Sequence, residues 1–192
     1  MQPNAAIRQL LATQPKRQKA VRSVALIRPA ARTQASAPAP VSAPKEGLDA
    51  KFLPQLVAYS GNQQPGTIVI DTNRRFLFLV EADGMARRYG VGVGKEGFEW
   101  SGTEKITRRA EWPDWRPPEE MRQRERAKGR ELPVVMAGGP ENPLGARALY
   151  LGSTLYRIHG TNRPDTIGKA MSSGCIRMRN EDVTDLYQRV KV

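Results

Sequence analysis

One cysteine and one histidine occur among the 192 residues, so any reaction that needs a thiol or an imidazole must use Cys175 or His159. His159 lies in Tyr156-Arg-Ile-His-Gly-Thr161, and Cys175 follows in Ser172-Ser-Gly-Cys-Ile-Arg177. A thiol of ordinary pKa, about 8.5, becomes a nucleophile when a neighbouring imidazole favours the thiolate. Taken singly, a lone cysteine is a small buried hydrophobe and a lone histidine a satisfied core or surface group. The glycines beside them shift that balance. Gly174 removes a side chain next to the sulfur and lets a substrate backbone approach, while Gly160 follows the histidine at a strand end, where a polar side chain can face a cleft. Cys175 precedes the predicted C-terminal helix by five residues, so the imidazole rather than a helix dipole is its expected activator.

The same counts exclude other chemistries. One cysteine cannot form an intramolecular disulfide, and one cysteine with one histidine cannot assemble a Cys/His zinc cluster. No loop has the carboxylate spacing of a magnesium or calcium site, so no metal is expected. No apolar run approaches the roughly 18 residues of a membrane span.

The reactive pair must be positioned by strands. Thr67–Asp71 and Arg75–Val80 are short apolar runs joined across Thr72-Asn73, which predicts a hairpin. Met85–Val93, Lys105–Ala110, Arg147–Leu151 and Leu155–His159 are further strand candidates. Between them, the Pro-rich and charged stretch 112–145 is a long excursion with a helical turn or two around Glu119–Lys128. One helix is well marked: Asn180 is its expected N-cap, Glu181 and Asp182 suit its positive end, and Val183, Leu186, Tyr187 and Val190 form one apolar face. The class is mainly β with one short C-terminal helix.

The formal net charge of +12 is unevenly spread. Residues 1–48 hold eight basic residues and one acid, Glu46, and 33–45 read as an extended Pro/Ala/Ser linker. This predicts a basic, disordered tail over 1–48 and a folded domain over 49–192, with its core from about residue 65. The tail has no aromatic residue, so it lacks a stacking platform for nucleic acid and offers only unspecific attraction to anionic polymers. Its longest apolar stretch, Ser23–Ile27, is stopped by Arg28 and is shorter than a secretory apolar region.

Gly92-Val-Gly-Lys-Glu-Gly97 satisfies G-x-G-x-x-G, yet no helical period follows in Phe98–Thr103. It is read as a strand end running into a glycine loop, not as a nucleotide site.

The motif His159-Gly-Thr161, the sixteen-residue gap, and Ser172-Ser-Gly-Cys-Ile-Arg177 with Asn180-Glu-Asp182 resemble the YkuD-type L,D-transpeptidases, cell-wall enzymes of bacteria. The resemblance runs from about Pro65 to Val192 and includes Val91–Gly97 and Asn142-Pro-Leu-Gly145. It implies a β-sandwich or mixed sheet with a lid-like insertion, no cofactor, and peptidoglycan stem peptides as donor and acceptor. An envelope protein is an alternative acceptor. By the same resemblance Cys175 is the nucleophile, His159 the base, and Gly160 the residue whose carbonyl orients the imidazole. The backbone N–H groups of Ser173, Gly174 and Cys175 are candidates for the oxyanion hole. Arg177, Ser172 and Tyr150 are candidates for substrate binding, and Trp112 and Trp115 for the cleft wall. Many members have His where this chain has Ser173, which leaves His159 as the only base. The substrate implies a periplasmic or cell-envelope location. Similar domains continue past the last helix into a turn and an apolar strand. Because this chain stops at Val192, an open sheet edge and lower stability are expected, unless another segment such as Leu53–Tyr59 covers that edge. The competing readings are an L,D-carboxypeptidase that uses water, and a non-catalytic basic protein that binds wall or nucleic acid.

Overall fold

The structure, a computed structural model, describes the backbone of residues 8–11 and residues 48–98 and 101–192 in full. Eleven strands and two α-helices follow the order β1 (Arg8–Leu11), β2 (Gln55–Ala58), β3 (Thr67–Asp71), β4 (Phe76–Val80), β5 (Met85–Gly90), β6 (Val93–Gly94), β7 (Thr103–Glu111), α1 (Glu119–Arg126), β8 (Arg147–Leu151), β9 (Arg157–His159), β10 (Ala170–Ser172), β11 (Ile176–Arg177) and α2 (Asn180–Arg189). Nine strands form one sheet in the order β11-β9-β8-β7-β1-β3-β4-β5-β2, and β10 pairs with β6 in a two-stranded one. The expected mainly β class with a single C-terminal helix and a long insertion is the class observed.

The apolar runs become the strands because they are buried on both faces. Ile68, Ile70, Leu77, Leu149, Leu151 and Ile158 are fully buried in one core. Against it, α2 lays Val183, Leu186 and Val190, with Tyr187 at the rim, which is the face read from the 3.6-residue period. A smaller cluster of Phe52, Phe76 and Ile167 lies apart from this core.

Several elements differ from expectation. Arg8–Leu11 falls in the tail expected to be disordered, yet forms β1, antiparallel to β3 and parallel to β7. It thereby joins the β2–β5 half of the sheet to the β7–β11 half through backbone bonds, which no side-chain pattern advertises. Leu53–Tyr59 does supply an edge strand, β2, but on β5. The third expected strand ends at Gly90, and Gly92 instead exchanges backbone bonds with Arg177 at 2.9 and 2.8 Å. Asn180 is the first residue of α2, not its cap; Arg179 takes the cap position without a side-chain bond to the free backbone N–H groups of the first turn. The insertion carries α1, in which no residue is buried. Ion pairs of Glu119 with Arg122, and of Glu125 with Lys128 and Arg130, brace it.

Candidate active site

Strand register brings the two reactive residues together. β8 pairs with β9 so that Ala148 faces His159, and β11 runs parallel to β9 with Ile176 opposite Ile158 and Arg177 opposite His159. Cys175, one residue before β11, therefore stands at the end of the strand pair that carries the histidine. Both residues line one cavity of about 410 Å³.

His159 is 5% exposed. Its Nδ1 lies 2.6 Å from the Gly160 carbonyl oxygen. A carbonyl only accepts, so Nδ1 carries the proton and Nε2 holds the lone pair. Burial, and then the Arg177 guanidinium, push the imidazole pKa down to about 3; Arg157 adds to this, and hydrogen bonds to the Gly160 and Leu144 backbone oppose it. Burial thus favours the neutral ring at physiological pH.

The nucleophile loop is built by glycine and serine. Gly174 has φ +107°, and a Cβ there would stand 2.4 Å from the Tyr156 ring and 3.0 Å from the Phe98 carbonyl oxygen. No other residue type enters that turn without displacing backbone. Ser172 is buried; its Oγ donates to the Cys175 carbonyl at 2.7 Å and accepts the Gly174 N–H at 3.1 Å. Ser172 thus lines the cavity but spends its hydroxyl on the shape of the loop. The same bond occupies the Gly174 N–H, one of the three expected oxyanion donors. The Ser173 and Cys175 N–H groups have no acceptor among the described residues. The Cys175 thiol, half-buried, donates a long bond of 3.8 Å to the Leu155 carbonyl.

The glycine-rich stretch that mimics a nucleotide fingerprint supports this loop. Val93 N–H donates to the Lys169 carbonyl at 3.0 Å and Lys95 N–H to the Ser172 carbonyl at 3.0 Å. A strand stands at Val93–Gly94, where the fingerprint would start a helix.

The cavity walls are cationic. Arg157 and Arg177 come from the sheet, Arg116 and Arg124 from the insertion, and Glu120 is the one carboxylate among the described lining residues. Arg177 is half-buried and has no ion-pair partner among the described residues, and burial pushes its pKa below the ordinary arginine value. Arg124 donates to Ser173 Oγ at 3.3 Å, linking α1 to the nucleophile loop. Trp115 lines the cavity as expected, whereas Trp112 is not part of its wall. Tyr150 is not in its wall either: it stands opposite Arg157 across β8 and β9, and its ring packs against the Arg108 guanidinium at 3.5 Å and the Arg157 guanidinium at 5.5 Å, both cation–π contacts. Sequence reasoning missed Arg157, two residues before His159 on β9 and so on the same face, and Arg116, Arg124 and Glu120, whose place depends on how the insertion folds over the sheet. Among the described residues, no group of three His, Cys, Asp or Glu converges to hold a metal ion.

A cysteine and a histidine in one cationic cavity on a β-scaffold are the groups that cysteine-dependent acyl transfer requires. The sequence profile of the YkuD L,D-transpeptidase catalytic domain matches residues 65–192, and the chain belongs to that family. It is 35% identical over 144 residues to the probable L,D-transpeptidase YbiS of Escherichia coli (strain K12), covering 73% of this chain and 46% of that protein. With the probable L,D-transpeptidase YcfS of the same organism it shares 38% identity over 131 residues, covering 65% of this chain and 41% of the other. The chain thus spans about half the length of the curated relatives it matches. A crystal structure described as a probable carnitine operon oxidoreductase from Brucella melitensis superposes with a TM-score of 0.52 at 53% identity, covering 76% of this chain and 92% of that one.

Proposed function

We propose that the chain is a cysteine-dependent L,D-transpeptidase acting on bacterial peptidoglycan. The observation that carries this reading is that His159, with Nδ1 2.6 Å from the Gly160 carbonyl oxygen, lines the cavity that also holds Cys175; with the proton on Nδ1, Nε2 serves as the base. The thiol proton passes to Nε2 as sulfur attacks the carbonyl of the L-centre of diaminopimelate in a tetrapeptide stem. The oxyanion that forms is received by the Ser173 and Cys175 N–H groups. Collapse breaks the bond to the terminal D-Ala, whose amine leaves with the proton from the imidazolium. An acceptor amine then attacks the thioester, loses its proton to His159 and returns the thiol. The favoured acceptor is a second stem peptide, which gives a 3→3 cross-link; an envelope-protein amine would serve the same acyl-enzyme. Arg177, with no carboxylate partner of its own, fits a role in holding a stem carboxylate. Ser172 shapes the loop. The catalytic domain runs from about residue 49 to 192, and the substrate implies work in the periplasm or cell envelope. No helix among the described residues is long and apolar enough to cross a membrane.

Incubation with a purified disaccharide tetrapeptide, followed by mass analysis of the products, tests the proposal. A 3→3 dimer with released D-Ala is expected. A tripeptide alone would make the chain an L,D-carboxypeptidase, and unchanged substrate would favour a non-catalytic wall-binding role.

A further inference from the structure

The peptide unit between Gly160 and Thr161 is held at both ends. Its carbonyl oxygen lies 2.6 Å from His159 Nδ1, and its N–H donates to Asn180 Oδ1 at 3.1 Å. The same Oδ1 accepts the Ala146 N–H at 2.9 Å. Asn180 opens α2, but its side chain leaves the helix and ties together the start of β8 and the turn after β9.

Room for that amide is made on purpose. A Cβ on Gly160 would stand 2.2 Å from Asn180 Oδ1, and one on Gly145 would stand at the same distance. Gly160 is not among the residues with positive φ, so backbone conformation does not demand glycine there. What its missing side chain permits is the close approach of the Asn180 oxygen.

A trans peptide is planar, with N–H and C=O pointing in opposite directions. Fixing the N–H therefore fixes the carbonyl: it cannot turn away from Nδ1 without breaking the bond from Thr161 to Asn180. Accepting a hydrogen bond at one end of an amide chain also polarises the next bond along it. We propose that Asn180 is a positioning residue for His159, acting through the Gly160–Thr161 peptide to keep the proton on Nδ1 and the lone pair on Nε2. The part that a carboxylate or carboxamide plays by direct contact in other nucleophile–base sites is played here at one peptide's remove, by an amide on a different element. The consequence for acyl transfer rests on the function proposed above; the consequence for the tautomer does not.

Because the chain holds a single histidine, a 15N-histidine label in the full chain reports His159 alone. The unaltered protein is expected to show one tautomer, protonated at Nδ1. In Asn180→Asp the charged acceptor polarises the peptide further, so the tautomer is kept and the Nδ1 proton resonance moves downfield. In Asn180→Ala that resonance moves upfield or gives way to a mixture of tautomers. Acylation of Cys175 by a β-lactam, followed by intact mass, slows about tenfold, the worth of one hydrogen bond. A purely structural role would lower the melting temperature and leave the tautomer untouched. A folded Asn180→Ala with unaltered tautomer and acylation rate would overturn the proposal. If Asn180→Ala does not fold, Asn180→Asp decides it, and an unmoved Nδ1 proton resonance there overturns it. Absence of any adduct on the unaltered protein would count against the acyl-transfer reading, and the resonances would still decide the role of Asn180.

Discussion

His159 stays neutral because charging it would place a cation in a buried site beside two guanidiniums. Its folded pKa of about 3 lies below the unfolded value of 6.5. The stabilisation from keeping the ring neutral is therefore complete above pH 6.5 and is lost as pH falls toward 3, because the unfolded chain takes up the proton first. One pKa unit corresponds to about 1.4 kcal/mol, so the loss reaches about 2 kcal/mol by pH 5. Thermal melts of the protein and of His159→Gln at pH 7 and pH 5 should show the unaltered protein losing more stability on acidification; parallel losses would mean that the imidazole is not a buried neutral base. At this scale the sequence was informative where identity alone decides. Cys175, His159 and the glycines next to them were legible because each was one of a kind or flanked by a residue with few other uses. The hydroxyl of Ser172, the occupied N–H of Gly174 and the Tyr150 ring packed on the Arg108 and Arg157 guanidiniums were not, since side-chain partners depend on how loops and strands meet. Asn180 was misread for the same reason: a residue type that suits a helix cap also suits a bridge between strand ends.

α2 anchors the floor of the site, and its first turn is held by an internal ion pair. Arg179 bonds Asp182 at 2.8 and 2.5 Å, and the Asp182 side chain is 1% exposed. Burial raises the Asp182 pKa against the pull of Arg179. Removing the guanidinium leaves an uncompensated carboxylate in the core, which costs about 3–5 kcal/mol. Arg179→Ala should accordingly lower the unfolding free energy from chemical denaturation by that amount at pH 7, with a smaller deficit at pH 4, where Asp182 can take up a proton. A deficit under 1 kcal/mol at pH 7 would show the pair to be solvated. The helix itself was legible from its period, as were β3, β4 and β8 from their apolar runs. β10 and β11 carry three and two residues, too few for any period to show, and exist through pairing with β6 and β9. β1 was hidden inside a segment whose composition reads as tail; backbone groups of β3 and β7 recruit it, and backbone groups leave no mark in a sequence.

Across the whole molecule, a rigid sheet holds Cys175 and His159 while the insertion supplies the opposite wall. Arginines from both sides face the cavity, and Glu120 is the one acidic side chain among its described lining residues, a charge pattern complementary to a peptide rich in carboxylates. The family was more legible than the architecture, because its signature sits in a few residues around Cys175, whereas the described lining of the cavity is drawn from segments as far apart in the chain as Phe98 and Arg177. The central claim, a thiolate at Cys175 that accepts an acyl group, is tested most directly by intact mass after exposure to a carbapenem, whose strained carbonyl is a ready acyl donor. One adduct per chain is predicted, mapped to Cys175 and lost in Cys175→Ala. An adduct that persists in Cys175→Ala, or an unaltered protein that takes up none, would contradict the account.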